Sequence, residues 1–375
     1  MKNSYVLLLL ILLTIVQPAQ PATSSVLHYE YVFDDGHFYV YDLDRNFALV
    51  KSVSLPTSGT RGSVACASTH TLFVSWGSYG TGTGHLLAYD LVHAKILWSR
   101  SYAHAVDSHS VAPDCSIIYM PGGELSGGNI WYLETAATGA DVGKIFGPVG
   151  PHNTVVNRPG THIYLGGRMD RYLGVASAAS TAVYMKAGPL QNTMRPFTIN
   201  GKETLLYTSV TGLLGFQVVD LAKKAVLYTV PVSGFASCNS SQSCPSDPSH
   251  GISLSPNEKE LYLIDFPNNY VHVFDVSKMP TGKPQKVADI KLKHSLHHQE
   301  SPCAADCLGE SWLHHSRDGR YVFVGDSGDV ISTTTRTVVG YLPAMYNSRK
   351  MIEIDWQNGI PIWAMNNRSS TGQVF

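Results

Sequence analysis

Along most of the chain, short runs of alternating apolar and polar residues are separated by clusters of Gly, Pro, Asn, Asp and Ser, the pattern of strands joined by turns. The segment from Ser249, SHGISLSPNEKELYLIDFPNNYVHVFDVS, shows the unit. A small-residue strand leads into the turn Ser255-Pro256-Asn257-Glu258-Lys259. Leu261, Leu263 and Asp265 then alternate with Tyr262 and Ile264, and Val271, Val273 and Asp275 repeat the alternation in a third strand. A fourth strand is expected near Ala288 to Leu292. The same unit recurs from Arg61, Asp107, His152, Arg195 and Ser311, with a usual period of about 45 residues.

Six units leave both ends of the chain over. The piece from Arg349, RKMIEIDWQNGIPIWAMNN, supplies two strands, and HFYVYDLDRNFALVKSVSLP from His37 supplies two more. Joined, they make a seventh four-stranded unit that closes a ring and removes its open edge. The expected fold is an all-β, seven-bladed β-propeller of four-stranded antiparallel blades. Its last blade is closed by N- and C-terminal strands, and residues 25–375 form a single domain. Six blades plus an independent hairpin is the competing arrangement.

The first 24 residues stand outside this pattern. Lys2 precedes an apolar run from Val6 to Val16, broken only by Thr14, and Pro18-Ala19-Gln20-Pro21-Ala22 follows. This is the layout of a secretory signal peptide, too short for an ordinary membrane span. The mature chain is therefore expected to be secreted, extracellular or periplasmic according to the cell, with no membrane span. Six cysteines fit an oxidising route; Cys238/Cys244 and Cys303/Cys307 are close enough for small loops, leaving Cys66/Cys115 as a pair or as free thiols. Asn239 and Asn367 begin glycosylation acceptors. The chain is 44% hydrophobic and 15% charged, which excludes wholesale disorder. Its 27 Lys+Arg against 28 Asp+Glu provide no net field for nucleic acid or anionic membrane. A monomer is expected.

The candidate chemistry lies where each innermost strand begins. Aligning the units on their second strands places Arg61, Asp107, His152, Arg195, His250, Ser311 or the adjacent Glu310, and Arg349 at one level around the channel mouth. His109, two residues past Asp107, has the parity to face the same wall. Arginine forks match carboxylate or phosphate, and histidines can move protons near neutral pH. Two readings are open: an anion-receptive funnel, or a polar ring whose charges neutralise one another around channel water. In the first, Arg61, Arg195, Arg349, His109 and Ser311 bind a small anion, or a protein or glycan partner. In the enzymatic version His152 and His250 transfer protons, supported by Asp107 and Glu310.

Two insertions, residues 235–248 and 294–310, enter innermost strands and should rim this mouth, where specificity tends to lie on a rigid scaffold. Glu124, Arg168, Asp170 and Arg171 are placed in loops on the same face. The ring itself, with two aligned histidines beside arginines, does not make a metal site. The histidines at 294, 297, 298, 314 and 315 form a local cluster that Glu300 or Asp306 could complete, but a loop rarely preorganises ligands and the H-x-x-H-H spacing does not sit on a helix. No metal and no cofactor is expected. The Gly-rich stretches at Gly77 and Pro121 are followed by strands, not helices, so they are not nucleotide cradles. The G-x-S-x-G elbow and the EF-hand pattern are absent.

The strings SHGISLSPNEKELYLID with YVHVFDVS, and HHSRDGRYVFVGDSGDVISTTTRTVVGYLP, resemble the YVTN-type β-propeller repeat across residues 28 to 365. The units from Arg61 and Ser311 depart from it in their turns. The resemblance implies a propeller whose relatives include secreted binding proteins, lactonase-like hydrolases, antibiotic lyases and the propeller of nitrous oxide reductase. It does not select among them. A binding propeller is the first expectation, a lactonase-like hydrolase or lyase the second. An electron-transfer copper propeller is disfavoured by the missing histidine ring.

Overall fold

The computed structural model describes residues 25–237 and 246–367. The signal-like run, Cys238, Cys244 and Asn239 lie outside the described residues. Seven antiparallel sheets stand around a central channel. Blades 1 to 6 begin with the inner strands Thr60–Cys66, Ser110–Val111, Pro151–Val156, Met194–Ile199, Ile252–Leu254 and Leu313–His315, and each adds three strands outward in chain order. The only helical turns among the described residues are the 3-10 segments Leu43–Arg45 and Pro343–Asn347.

Burial explains the order of the strands. The inner strands of blades 1, 3 and 4 are buried at every residue, whereas an outer strand such as Lys95–Tyr102 is exposed along most of its length. Seven apolar clusters occupy the seams, one between each neighbouring pair of blades. The seam of blades 7 and 1, for example, packs Tyr31, Phe33, Phe38 and Val40 on Leu72, Val74, Leu87 and Tyr89. Stability therefore resides in face-to-face burial between sheets that no blade achieves alone.

Blade 7 differs from the two-plus-two division read from sequence. Its inner strand is Lys350–Gln357, and the chain's first strand, Leu27–Asp34, pairs with it antiparallel before His37–Asp42 and Ala48–Ser54. The N-terminus thus supplies three strands. Leu27–Asp34 escaped the pattern because Glu30, at its centre, reads as a surface residue, yet it is fully buried. The last strand, Ile360–Ala364, lies on the inner side of Lys350–Gln357 as a fifth strand.

Beyond it the chain crosses beneath the inner strands of blades 1 to 3. Met365 accepts from the Ala65 amide at 2.8 Å, Asn366 from the Val111 amide at 3.0 Å, and the Asn367 side chain from the Val156 amide at 2.8 Å. One end of the channel is thereby closed. Disulfides join Cys66 to Cys115, linking turns of blades 1 and 2 at this end, and Cys303 to Cys307 at the other. Asn367 is 6% exposed and its amide also donates to the Val156 carbonyl at 3.0 Å. That corrects its reading as a glycan acceptor: the nitrogen a sugar would take is spent inside the fold.

Candidate functional site: the closed channel mouth

At the opposite end, the start of each inner strand delivers one side chain to the mouth. The structure brings Arg61, Asp107, His152, His250, Glu310 and Arg349 together around a space of about 10 Å³, joined by Glu124, Asp306 and Lys350. That volume holds one water. Arg195 lies just behind, fully buried against Asp247 at 3.0 Å and Glu310 at 3.4 Å.

Each arginine already has carboxylate partners. Arg61 meets Asp306 at 3.0 Å, Glu124 at 3.1 Å and Asp107 at 3.4 Å. Arg349 meets Glu300 at 2.8 Å, Asp306 at 2.9 Å and Asp326 at 3.5 Å. Arg168 reaches Glu124 at 2.7 Å, and Lys350 reaches Glu300 at 3.1 Å. Asp107, Glu124, Asp247, Glu300, Asp306, Glu310 and Asp326 therefore face Arg61, Arg168, Arg195, Arg349 and Lys350. The ring's arginines are therefore matched by acids: the strand alignment places the arginines, while most of the acids arrive on loops outside it.

The insertion before blade 6 explains the closure. It runs over the mouth from blade 5 to the border of blades 7 and 1, where Ala304 donates its amide to Asp35, in the turn between the first two strands of the chain, at 2.6 Å. A Cβ on Gly59, at φ +72°, would stand 3.3 Å from the Ala305 Cβ. The Cys303–Cys307 bridge closes a tight loop at its tip, and Asp306 hangs from that loop between Arg61 and Arg349. Burial alone would raise the Asp306 carboxyl, but Arg349 and Arg61 outweigh it and hold the group well below the carboxylate range.

The histidines have distinct roles. His152 Nδ1 lies 3.0 Å from Asp107 Oδ2, and its Nε2 has no hydrogen-bond partner despite burial. His250 Nδ1 donates to the Ser311 carbonyl at 2.8 Å, which turns Nε2 toward Glu310 at 3.5 Å. Burial, then Arg195 and Arg349, push the His250 pKa well down, favouring neutral imidazole. His109 departs from its expected place: it is wedged in the seam of blades 1 and 2, with Nδ1 3.1 Å from the Ser75 hydroxyl. Ser311 serves the frame, its hydroxyl donating to Gly325 O and its amide to Asp326.

The 294–315 histidines do not converge. His294 pairs with Asp329 at 2.6 Å, His298 stacks on Tyr346, His297 packs on Phe266, His314 turns to Glu30 and His315 to Ser253. Asp170 and Arg171 stay in their loop, with Arg171 donating to the Leu190 carbonyl. A larger recess of about 490 Å³ lies on the opposite face beside Trp363, His70 and Arg158, without a buried charged side chain in its lining.

These features define a seven-bladed propeller with a lidded, charge-paired channel mouth. No protein-family model matches the chain, and no curated protein matches it in sequence. Among solved structures, it is similar to a functionally unknown protein from Desulfotomaculum acetoxidans DSM 771, with a TM-score of 0.63 and 11% identity, over 86% of this chain and 98% of that one. The likeness is one of fold. Among the described residues no helix is long and apolar enough to cross a membrane.

Proposed function

We propose that this is a secreted binding propeller whose channel mouth receives a small carboxylate-bearing anion in place of Asp306. The observation that carries the reading is the bridging of Arg61 and Arg349, from different blades, by one carboxylate on a short stapled loop. Two guanidinium forks, Arg61 on an inner strand and Arg349 immediately before another, are preorganised for a carboxylate. The loop's own carboxylate occupies that position, so a ligand enters by displacing the loop. Disulfides at Cys66–Cys115 and Cys303–Cys307 agree with an exported chain.

Asp306→Ala tests the reading. It should destabilise the protein by about 3 kcal/mol, the low end for breaking a buried pair, because Asp306 is 20% exposed. Formate or acetate should then raise the thermal midpoint of the variant more than that of the parent, against chloride at equal ionic strength. Equal responses in both proteins would sink the proposal.

A second reading, lactonase-like hydrolysis or lyase chemistry, is favoured by one specific contact. His152 is oriented by Asp107 through Nδ1 and presents an unpartnered Nε2, the arrangement of a general base. If it operates, lactone turnover disappears in a folded His152→Ala variant; turnover that persists there eliminates His152 as the base.

A further inference from the structure

A second cluster of ionisable side chains lies outside the mouth, in the seam between blades 6 and 7. Register places Glu30 of the first strand directly opposite Glu353 of the last inner strand. Like charges in that relation repel, and these are 0% and 1% exposed. His314, from the inner strand of blade 6, brings Nε2 to 3.1 Å from Glu30 Oε2 and is 3% exposed. One ligand atom from each of the three lies within 4.8 Å of the others.

The cluster is incompletely satisfied. Glu30 Oε1 has no hydrogen-bond partner, nor has His314 Nδ1. Glu353 Oε2 is held by the Arg317 amide at 2.6 Å, a fixed orientation of the kind that outer-shell groups impose on metal ligands. The Arg317 guanidinium bonds Asp355 at 2.5 Å and lies over the Trp363 ring. Asp355 also binds His28 at 2.7 Å. Arg317 is thus directed at Asp355, and two buried glutamates remain around one imidazole.

We propose that Glu30, Glu353 and His314 bind one divalent cation of the zinc class, which ties the first strand, the last inner strand and blade 6 together. Two carboxylates, a neutral imidazole and one doubly charged ion sum to zero, which no single proton on His314 achieves. Mixed O and N donors suit a borderline cation of this kind, with a water as fourth ligand. Without a cation, burial raises both glutamyl pKa values, and Glu30 and Asp355 add to the effect at Glu353; protons then take the ion's place. The other charged groups facing the pair are His28, Arg317, Asp355 and Asp318.

The test uses the full mature chain, stripped with chelator, dialysed, and reloaded with zinc chloride. About one equivalent of zinc should be retained per chain, and the thermal midpoint should rise by mass action. Glu30→Gln should lose both effects, whereas His152→Ala, which alters the mouth, should keep them. If Glu30→Gln fails to fold, cobalt substitution of the parent supplies the readout, through visible bands characteristic of four-coordinate O/N ligation. Zinc absent from the reloaded parent, or zinc retained equally by Glu30→Gln, overturns the proposal. So does a Glu30→Gln protein that is more stable than the parent in chelator and equally stable in zinc, the signature of a proton-bridged pair.

Discussion

Glu300 shows at single-residue scale how the mouth is balanced. Burial pushes its carboxyl up to about 7, against the pull of Lys350 and Arg349 and with the help of Asp326. An unfolded glutamate gives up its proton near pH 4.3. Between those values the folded state holds more protons than the unfolded state, so stability falls as pH rises. Asp247, pushed up to about 6 by burial, acts in the same direction. Asp306, held low, acts oppositely: its contribution is intact above the ordinary aspartate range and drains away as pH falls below about 4. Buried His250, pushed well down, and His315, pushed down to about 3 by burial, act against these carboxyls over the same range. The test is therefore a difference: the thermal midpoint of Glu300→Gln relative to that of the parent should rise from pH 5 to pH 7. An unchanged slope in the variant would place the Glu300 carboxyl back in the ordinary range. At this scale most ring positions were legible in sequence because strand register repeats them: Arg61, Asp107, His152, His250, Glu310 and Arg349 meet at one mouth, with Arg195 just behind it. Asp247 and Asp326 were not, because loops have no period. His109 had the right parity, but a Gly62 backbone close beside its ring leaves it room in the seam.

At the scale of elements, the C-terminal strand does more than complete a blade. The tail from Met365 to Asn367 satisfies backbone groups on Ala65, Val111 and Val156, which otherwise face the channel. Asn367→Ala should cost about 1–3 kcal/mol, since it leaves two buried main-chain partners without a bond. Asn367→Asp should also destabilise, because a carboxylate accepts from the Val156 amide but cannot donate to its carbonyl. Equilibrium unfolding in denaturant measures both, and a variant as stable as the parent would show that water replaces the side chain. The turns, alternations and blade count were visible in the chain's pattern. The tail's path was not, because Met365-Asn366-Asn367 carries no alternation and only tertiary contact orders it.

For the whole molecule, closure rests on the pairing of Leu27–Asp34 with Lys350–Gln357. Deleting residues 25–34 should leave Lys350–Gln357 with an unpaired edge in the middle of blade 7 and produce aggregation instead of a smaller ring. A monomeric, cooperatively unfolding deletion product would refute closure by this strand. The first strand was missed in sequence for the same reason that makes the seam informative: a glutamate in the middle of an alternating run reads as surface until its partner is known.

That pairing also sets an order of events in synthesis. Tyr31 and Phe33 leave the ribosome early, but the strand they belong to has its inner partner more than three hundred residues later. Contacts of such sequence separation form late and slowly. Blades 1 to 6 can assemble as the chain lengthens, and Tyr31 and Phe33 can pack on blade 1 once it is made, whereas Leu27–Asp34 must stay unpaired on its inner side until translation is nearly finished. The face that carries Val32, Tyr41, Leu43 and Phe47, which packs on blade 6, thus stays uncovered through almost the entire synthesis, and a holding factor that recognises extended apolar segments would meet it there first.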